Sequence, residues 1–322
     1  MKTKSLVILL VLVSVISVAL FTPFILAFSS PGFIQAPTAG YLAVIRISGV
    51  IAYEESPLTL FGGSTITPQQ VMEMVEEVEN DPSAKAVLVV VNSPGGSAAA
   101  SEEIYNVIKR LAGKKPVFSY IAEFGASGGY YIALPSSKII ASPSSLTGSV
   151  GAVAIWINIA NLTENLGIKA YVFKSGGMKD IGNIFRKPTT QELEVMQSLI
   201  DSIADTFIQR VREERGDKIK DWSRILSARP FTGKQALELG LVDYVGDFED
   251  AKRIALETAG LPPETPTRVI KPRQPGLLDL LLGGSLNMLP SRYRSMQLSY
   301  EILTMWPLPS VEGYITLYDS YS

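Results

Sequence analysis

The segment Lys85-Ala-Val-Leu-Val-Val-Val-Asn92 limits the fold more than any other part of the chain. Its apolar residues are continuous rather than alternating, so a strand formed there hides both faces. Such a strand belongs in a parallel sheet covered by helices on each side. The flanking segments fit an α/β fold, with strand patterns alternating with helix patterns. Strands are predicted at Tyr41–Gly49, Pro116–Ala122 and Lys138–Ala141. Thr67-Pro68-Gln69-Gln70 opens a helix with a capping residue, a proline at the first helical position and a capping-box glutamine, and that helix should run to about Asn80. Further helices are expected from Ala98 to Leu111 and from Ser127 onward.

The longest predicted helix spans Thr190 to Arg215. Leu193, Met196, Leu199, Ile200, Ile203, Phe207 and Val211 form its apolar stripe, and Gly216 is the expected stop. A second capping box, Thr232-Gly-Lys-Gln235, starts a helix ending at Gly240, and another helix runs from about Phe248 to Gly260. Five prolines between Pro262 and Pro275 then favour an extended linker over a packed element.

The N-terminus bears on location. Lys2 and Lys4 precede an uncharged apolar run from Leu6 to Phe28, about 34 Å long as a helix and enough to cross a bilayer core. The next basic residue is Arg46. A retained anchor at the cell membrane is therefore expected, with a cytoplasmic N-terminus and the rest of the chain facing outward. A cleaved signal peptide would usually have a shorter apolar region ending in small residues. The chain thus reads as a cytoplasmic N-terminus (1–5), an anchor (6–28), a spacer (29–40), an α/β domain (41–260), and a proline-rich linker with an apolar tail (261–322). That tail can pack on a neighbouring subunit, touch the membrane, or lie in a substrate groove.

Composition narrows the chemistry. None of the 322 residues is histidine or cysteine. A Ser-His-Asp triad, a thiol nucleophile and a thiolate or imidazole zinc site are all excluded. No metal or other cofactor is expected. With 29 basic and 31 acidic residues there is no electrostatic footprint for nucleic acid.

Gly125-Ala-Ser127-Gly-Gly129 lies between a predicted strand and a predicted helix, where flanking glycines permit a tight turn that presents the serine hydroxyl. Without histidine, an activated Ser127 needs a neutral lysine as its base. An ordinary lysine, with a pKa of about 10.4, is protonated at neutral pH, so the base must be desolvated and kept from carboxylates. Lys174 and Lys179, in Phe173-Lys-Ser-Gly-Gly-Met-Lys-Asp-Ile181, are both candidates, and spacing alone does not choose between them. Gly95 and Gly96, at the end of the valine-rich strand, can offer amide groups to an oxyanion together with Gly128. Ser149, in Leu146-Thr-Gly-Ser-Val-Gly151, can orient the lysine. Each of these segments also has a simpler reading as a structural turn or a surface lysine.

Taken in order, Asn92-Ser-Pro-Gly-Gly96, Gly125–Tyr131, Leu146–Gly151, Lys174–Ile181 and Arg229–Asp243 resemble the signal peptide peptidase A family in its short, single-repeat, membrane-anchored form. The resemblance runs from about Leu42 to Ala259. It implies a ClpP/crotonase-like spiral of βαβ units and a serine endopeptidase with a Ser-Lys dyad. It further implies Ser127 as nucleophile, Lys179 as general base, Ser149 as the residue orienting that base, and Gly95, Gly96 and Gly128 at the oxyanion hole. Implied partners are the membrane, hydrophobic peptides such as remnant signal peptides, and further copies of the chain in a ring that shares each dyad between neighbours. The alternatives are a catalytically inactive membrane scaffold or a stomatin-linked protease of the same fold.

Overall fold

The computed structural model describes residues 40–54 and 64–272, together with Ser17 and the backbone of Leu303–Met305. The chain divides into residues 1–39 and 40–322. The predicted anchor at 6–28 lies outside the described residues, Ser17 apart, and among the described residues no helix is long and apolar enough to cross a membrane.

Strand β1 (Tyr41–Ser48) leads through the short β2 (Val50–Ile51) and β3 (Thr65–Ile66) into α1 (Pro68–Asn80). Helix α1 begins as its capping box dictates: Thr67 accepts the Gln70 N–H while the Gln70 side chain accepts the Thr67 N–H. The valine-rich segment forms β4 (Ala84–Ser93), followed by β5 (Gly95–Ser97), α2 (Ala98–Ala112), β6 (Val117–Ala126), the one-and-a-half-turn α3 (Gly128–Ala133), β7 (Lys138–Ala141) and β8 (Leu146–Gly148). A largely irregular segment containing α4 (Ala160–Asn165) precedes the long α5 (Thr190–Arg215). The domain continues through α6 (Trp222–Leu226), β9 (Pro230–Thr232), α7 (Gly233–Leu239), β10 (Tyr244–Val245), α8 (Phe248–Thr258) and β11 (Thr267–Ile270). Leu303–Met305 forms β12.

The main sheet runs β10-β7-β6-β4-β1-β11 with every neighbouring pair parallel. Beyond β7, the upper end of β6 pairs with β8, which in turn pairs antiparallel with β9, so the whole sheet is mixed. Successive residues of β1 and β4 enter different cores, as strand alternation requires. Ala43, Ile45, Ile47, Val87, Val89 and Val91 pack with α1, α2 and α3, whereas Leu42, Val44, Ala86, Leu88 and Val90 pack with Ala251, Ala255 and Leu256 of α8. The continuous apolar run of β4 is the consequence of these two cores.

Two expectations change. Thr267–Ile270, inside the stretch predicted as a linker, pairs with β1 and buries Ile270. Its prolines flank the strand rather than interrupt it, leaving its backbone free to pair. Helix α5 has the predicted limits, but only Phe207 and Val211 of its apolar stripe are buried, while Leu193 and Leu199 are about half exposed. Gly216 does end that helix as expected, capping it in a right-handed conformation before a short 3₁₀ turn, whereas Gly240 ends α7 in the left-handed one.

Candidate active site

The site is built where three strands end. At Asn92 the β4–β6 register shifts, and the Asn92 Oδ1 accepts the Phe124 N–H at 3.0 Å, filling the break in the ladder. The β6–β8 pairing places Ala126 opposite Gly148, and Ser127 donates its N–H to the Gly148 carbonyl at 2.8 Å. The Thr147 hydroxyl donates to the Gly125 carbonyl at 2.7 Å, reinforcing the same seam. Ser127 and Ser149 are therefore held on adjoining strand ends.

Ser127 stands between β6 and α3 with φ 55° and ψ −122°, an uncommon conformation for a residue bearing a Cβ. Such strain costs on the order of 1–3 kcal/mol and persists only where the surroundings enforce it. Here they do. Ser127 is 2% exposed, the Tyr130 and Tyr131 N–H groups both donate to its carbonyl, and its hydroxyl makes no capping bond to α3. The hydroxyl is thus not spent on holding the helix. Ser149 also has positive φ, at 52°, is buried, and donates its N–H to the Arg229 carbonyl at 3.1 Å.

The glycines allow close backbone approach. A Cβ on Gly129 would lie 2.3 Å from the Ser93 carbonyl oxygen, and one on Gly128 would lie 3.1 Å from the Gly95 Cα. Gly95 and Gly128, from separate motifs, are therefore in direct apposition. Gly95 donates its N–H to Ser93 Oγ at 3.2 Å, whereas the Gly128 N–H, at the first position of α3, is one of those a helix leaves without an intrahelical acceptor. On its other edge β5 pairs antiparallel with β12, with Gly95 opposite Met305 and Ser97 opposite Leu303. An extended chain can therefore run along the glycine loop beside Ser127.

Lys179 is placed differently. It sits on the exposed segment between β8 and α5, and neither Ser127 nor Ser149 is among its hydrogen-bond partners. It also makes no ion pair among the described residues. Lys174 does: its Nζ lies 2.6 Å from Asp180 Oδ1 and donates to the Gly177 carbonyl at 2.8 Å. Asp180 receives Arg186 as well, and Arg186 reaches Glu192 at the start of α5. Hydrogen bonds from Arg186 and then Lys174 hold the Asp180 carboxyl far below its ordinary value. Those from Arg186 and the Thr189 N–H bring Glu192 down to about 2.

Sequence reasoning missed the supports around the nucleophile: Ser93 under Gly95, Asn92 at the bulge, and the buried Arg215–Asp243 pair. Asp243 accepts Arg215 Nη1 and Lys218 Nζ at 2.7 Å each and the Ile139 N–H at 2.8 Å, and Tyr130 of α3 donates to the Leu241 carbonyl at 2.7 Å. These bonds tie α5 and the segment after α7 to β7 and to the helix behind Ser127. Among the described residues no group of three or more carboxylates is arranged to hold a metal ion.

The peptidase family S49 model matches residues 109–261, a span containing Ser127, Ser149 and Lys179 but beginning after the Gly95-Gly96 loop. A Synechocystis protein bearing a protease name is 37% identical over 230 residues, covering 71% of this chain and 78% of the relative. The chain belongs to peptidase family S49. This S49 chain is a serine peptidase with an α/β fold. It is also 34% identical over 210 residues to an Enterococcus faecium protein named for signal peptide peptidase SppA, covering 64% of this chain and 60% of the relative. That match spans less than two thirds of the relative's length. Among solved structures, the 1510-N membrane-bound stomatin-specific protease is similar over 73% of this chain and all of that one, with 18% identity and a TM-score of 0.44.

Proposed function

We propose that this S49 peptidase is a membrane-anchored endopeptidase in which Ser127 is the nucleophile and Lys179 the general base. Its proposed substrates are remnant signal peptides and other hydrophobic segments. The observation that carries the reading is the strained, buried Ser127 beside the Gly128 N–H that opens α3. In this mechanism neutral Lys179 takes the Ser127 hydroxyl proton as Oγ attacks the peptide carbonyl carbon. Gly128 and the Gly95-Gly96 loop donate to the oxyanion, with Gly95 releasing Ser93 Oγ if it is the loop donor. The lysine ammonium then protonates the leaving amine, the C–N bond breaks, and water activated by the lysine hydrolyses the acyl-enzyme. Ser149 is the hydroxyl that orients the lysine. The pairing of β12 along β5 supports a substrate bound as an added strand.

A second copy of the chain completes the proposed site. The segment carrying Lys179 exposes Ile157, Leu166, Tyr171 and Phe173, the last 95% exposed, and the neighbouring start of α5 exposes Leu193 and Leu199. Apolar exposure on this scale marks an interface. Covering it in a ring would remove Lys179 from water, as a neutral lysine requires, and would deliver it to the Ser127 of a neighbour. The ClpP/crotonase-like spiral is the form of the α/β fold consistent with such a ring. The apolar run at 6–28 would anchor the assembly beside the membrane from which hydrophobic peptides come.

A fluorophosphonate probe tests the nucleophile: labelling of the assembled protein should map to Ser127 and vanish in Ser127→Ala. Lys179→Ala should abolish cleavage of an apolar peptide, whereas Lys174→Ala should retain most of it. Labelling elsewhere, or an active Lys179→Ala enzyme, would overturn the assignment.

A further inference from the structure

A lysine that must act as a neutral base is poorly served by a carboxylate next to it in sequence, yet Asp180 follows Lys179 directly. The structure places that carboxylate elsewhere. Arg186 Nε lies 2.9 Å from Asp180 Oδ2 and Nη2 lies 2.9 Å from Oδ1, a two-pronged bond that a guanidinium forms and an ammonium does not. Lys174 Nζ and Asn183 Nδ2 donate to the same carboxylate, which has only 12% of its side-chain surface exposed. Arg186 also donates through Nη1 to Glu192 Oε2 at 2.8 Å, and Glu192 Oε2 accepts the Thr189 N–H that begins α5. The Glu192 side chain is 2% exposed. The charged groups packed together here are Lys174, Asp180 and Arg186 of the loop and Glu192 of α5, two cations against two carboxylates. Lys179 stands beside this neutral cluster and makes no ion pair among the described residues.

We propose that Arg186 is a positioning residue for catalysis: by clamping Asp180 to Glu192 it fixes the Lys179 loop to the start of α5 and prevents Asp180 from becoming the counter-ion of Lys179. This rests on the Ser-Lys reading above. It gives the ion cluster a task beyond rigidity, since an Asp180 released toward Lys179 would favour the ammonium and withdraw the base from use at neutral pH. Glu192, through its backbone capping bond, relates the loop to a long helix rather than to solvent.

The test uses the full-length assembled protein and reads kcat/KM for an apolar peptide, and the rate of fluorophosphonate labelling of Ser127, across pH. Arg186→Gln should move the rising basic limb of both profiles upward by about one pH unit or more. Activity near neutrality should fall about tenfold while the plateau at high pH stays close to that of the parent, one unit being a factor of ten. Adding Asp180→Asn to Arg186→Gln should return the limb to its original position, and Arg186→Lys should restore it only in part. Asp180→Asn alone should leave the limb in place or lower it, which keeps the proposal testable if Arg186→Gln does not assemble. A uniform loss at every pH, or a shift that Asp180→Asn does not reverse, or an upward shift in Asp180→Asn alone, overturns the role of Arg186. An active Lys179→Ala enzyme would instead overturn the dyad, so the two failures are distinguishable.

Discussion

At the scale of single residues, the site depends on backbone atoms brought closer together than side chains ordinarily allow. Gly129 illustrates this: its missing Cβ would fall 2.3 Å from the carbonyl oxygen of Ser93, a backbone atom that cannot swing aside. Gly129→Ala should therefore push α3 away from β4, destabilising the fold by about 1–3 kcal/mol, the usual range for overpacking. It should also remove fluorophosphonate labelling although Ser127 is intact. Thermal denaturation and labelling measured on the same sample check both parts. The Gly-x-Ser-x-Gly spacing made the tight turn legible, but small-residue turns are common, and it was the order of this motif among the others that set Ser127 apart. Choosing between Lys174 and Lys179 was not possible from spacing, since what separates them is the Asp180 contact made by one and not by the other. That contact depends on how the loop folds back on itself.

Elements were legible wherever the signal was local. Both capping boxes, the buried run of β4 and the limits of α5 follow from short-range pattern, and the structure reproduces them. The joining of β11 to β1 was not legible, because a short strand among prolines is fixed by the sheet edge awaiting it rather than by its own sequence. The Arg215–Asp243 bridge is another long-range feature. It joins the last turn of α5 to the start of β7, with Arg215 Nε and Nη2 also donating to the Gly240 carbonyl. Asp243→Asn leaves the buried Arg215 without its counter-ion and should cost about 3–5 kcal/mol. Burial alone would push the Asp243 carboxyl up, but hydrogen bonds from Arg215 and Lys218 outweigh it and hold the group below its ordinary value. Because the folded value is the lower one, the bridge stabilises fully above the ordinary carboxylate pKa of about 3.9 and is lost as pH falls through the folded value. The gap in melting temperature between the parent and Asp243→Asn should accordingly be constant near neutrality and narrow as pH drops below about 4. A gap independent of pH down to 2 would mean that charge is not what Asp243 contributes.

For the whole molecule, the decisive contrast is between a buried, strained serine and an exposed lysine that makes no hydrogen bond to it among the described residues. A chain that needed only itself would gain nothing from leaving Phe173 almost fully in water, and a phenylalanine kept from burial forgoes about 1.5–3 kcal/mol. If neighbouring copies cover that segment and exchange lysines, two inactive variants can complement each other. A Ser127→Ala protomer still carries Lys179, and a Lys179→Ala protomer still carries Ser127. Co-assembled at equal amounts, they should recover a measurable fraction of parental peptidase activity, with probe labelling confined to the Lys179→Ala subunits. Phe173→Asp places a charge in the proposed contact and should shift the assembly toward smaller species in sedimentation, with activity falling in step. If mixed assemblies verified by mass remain inactive, or Phe173→Asp stays fully assembled and active, the lysine must reach its own serine. The exposed segment would then have to close over its own domain, bringing Lys179 onto Ser127 and Ser149 within a single chain.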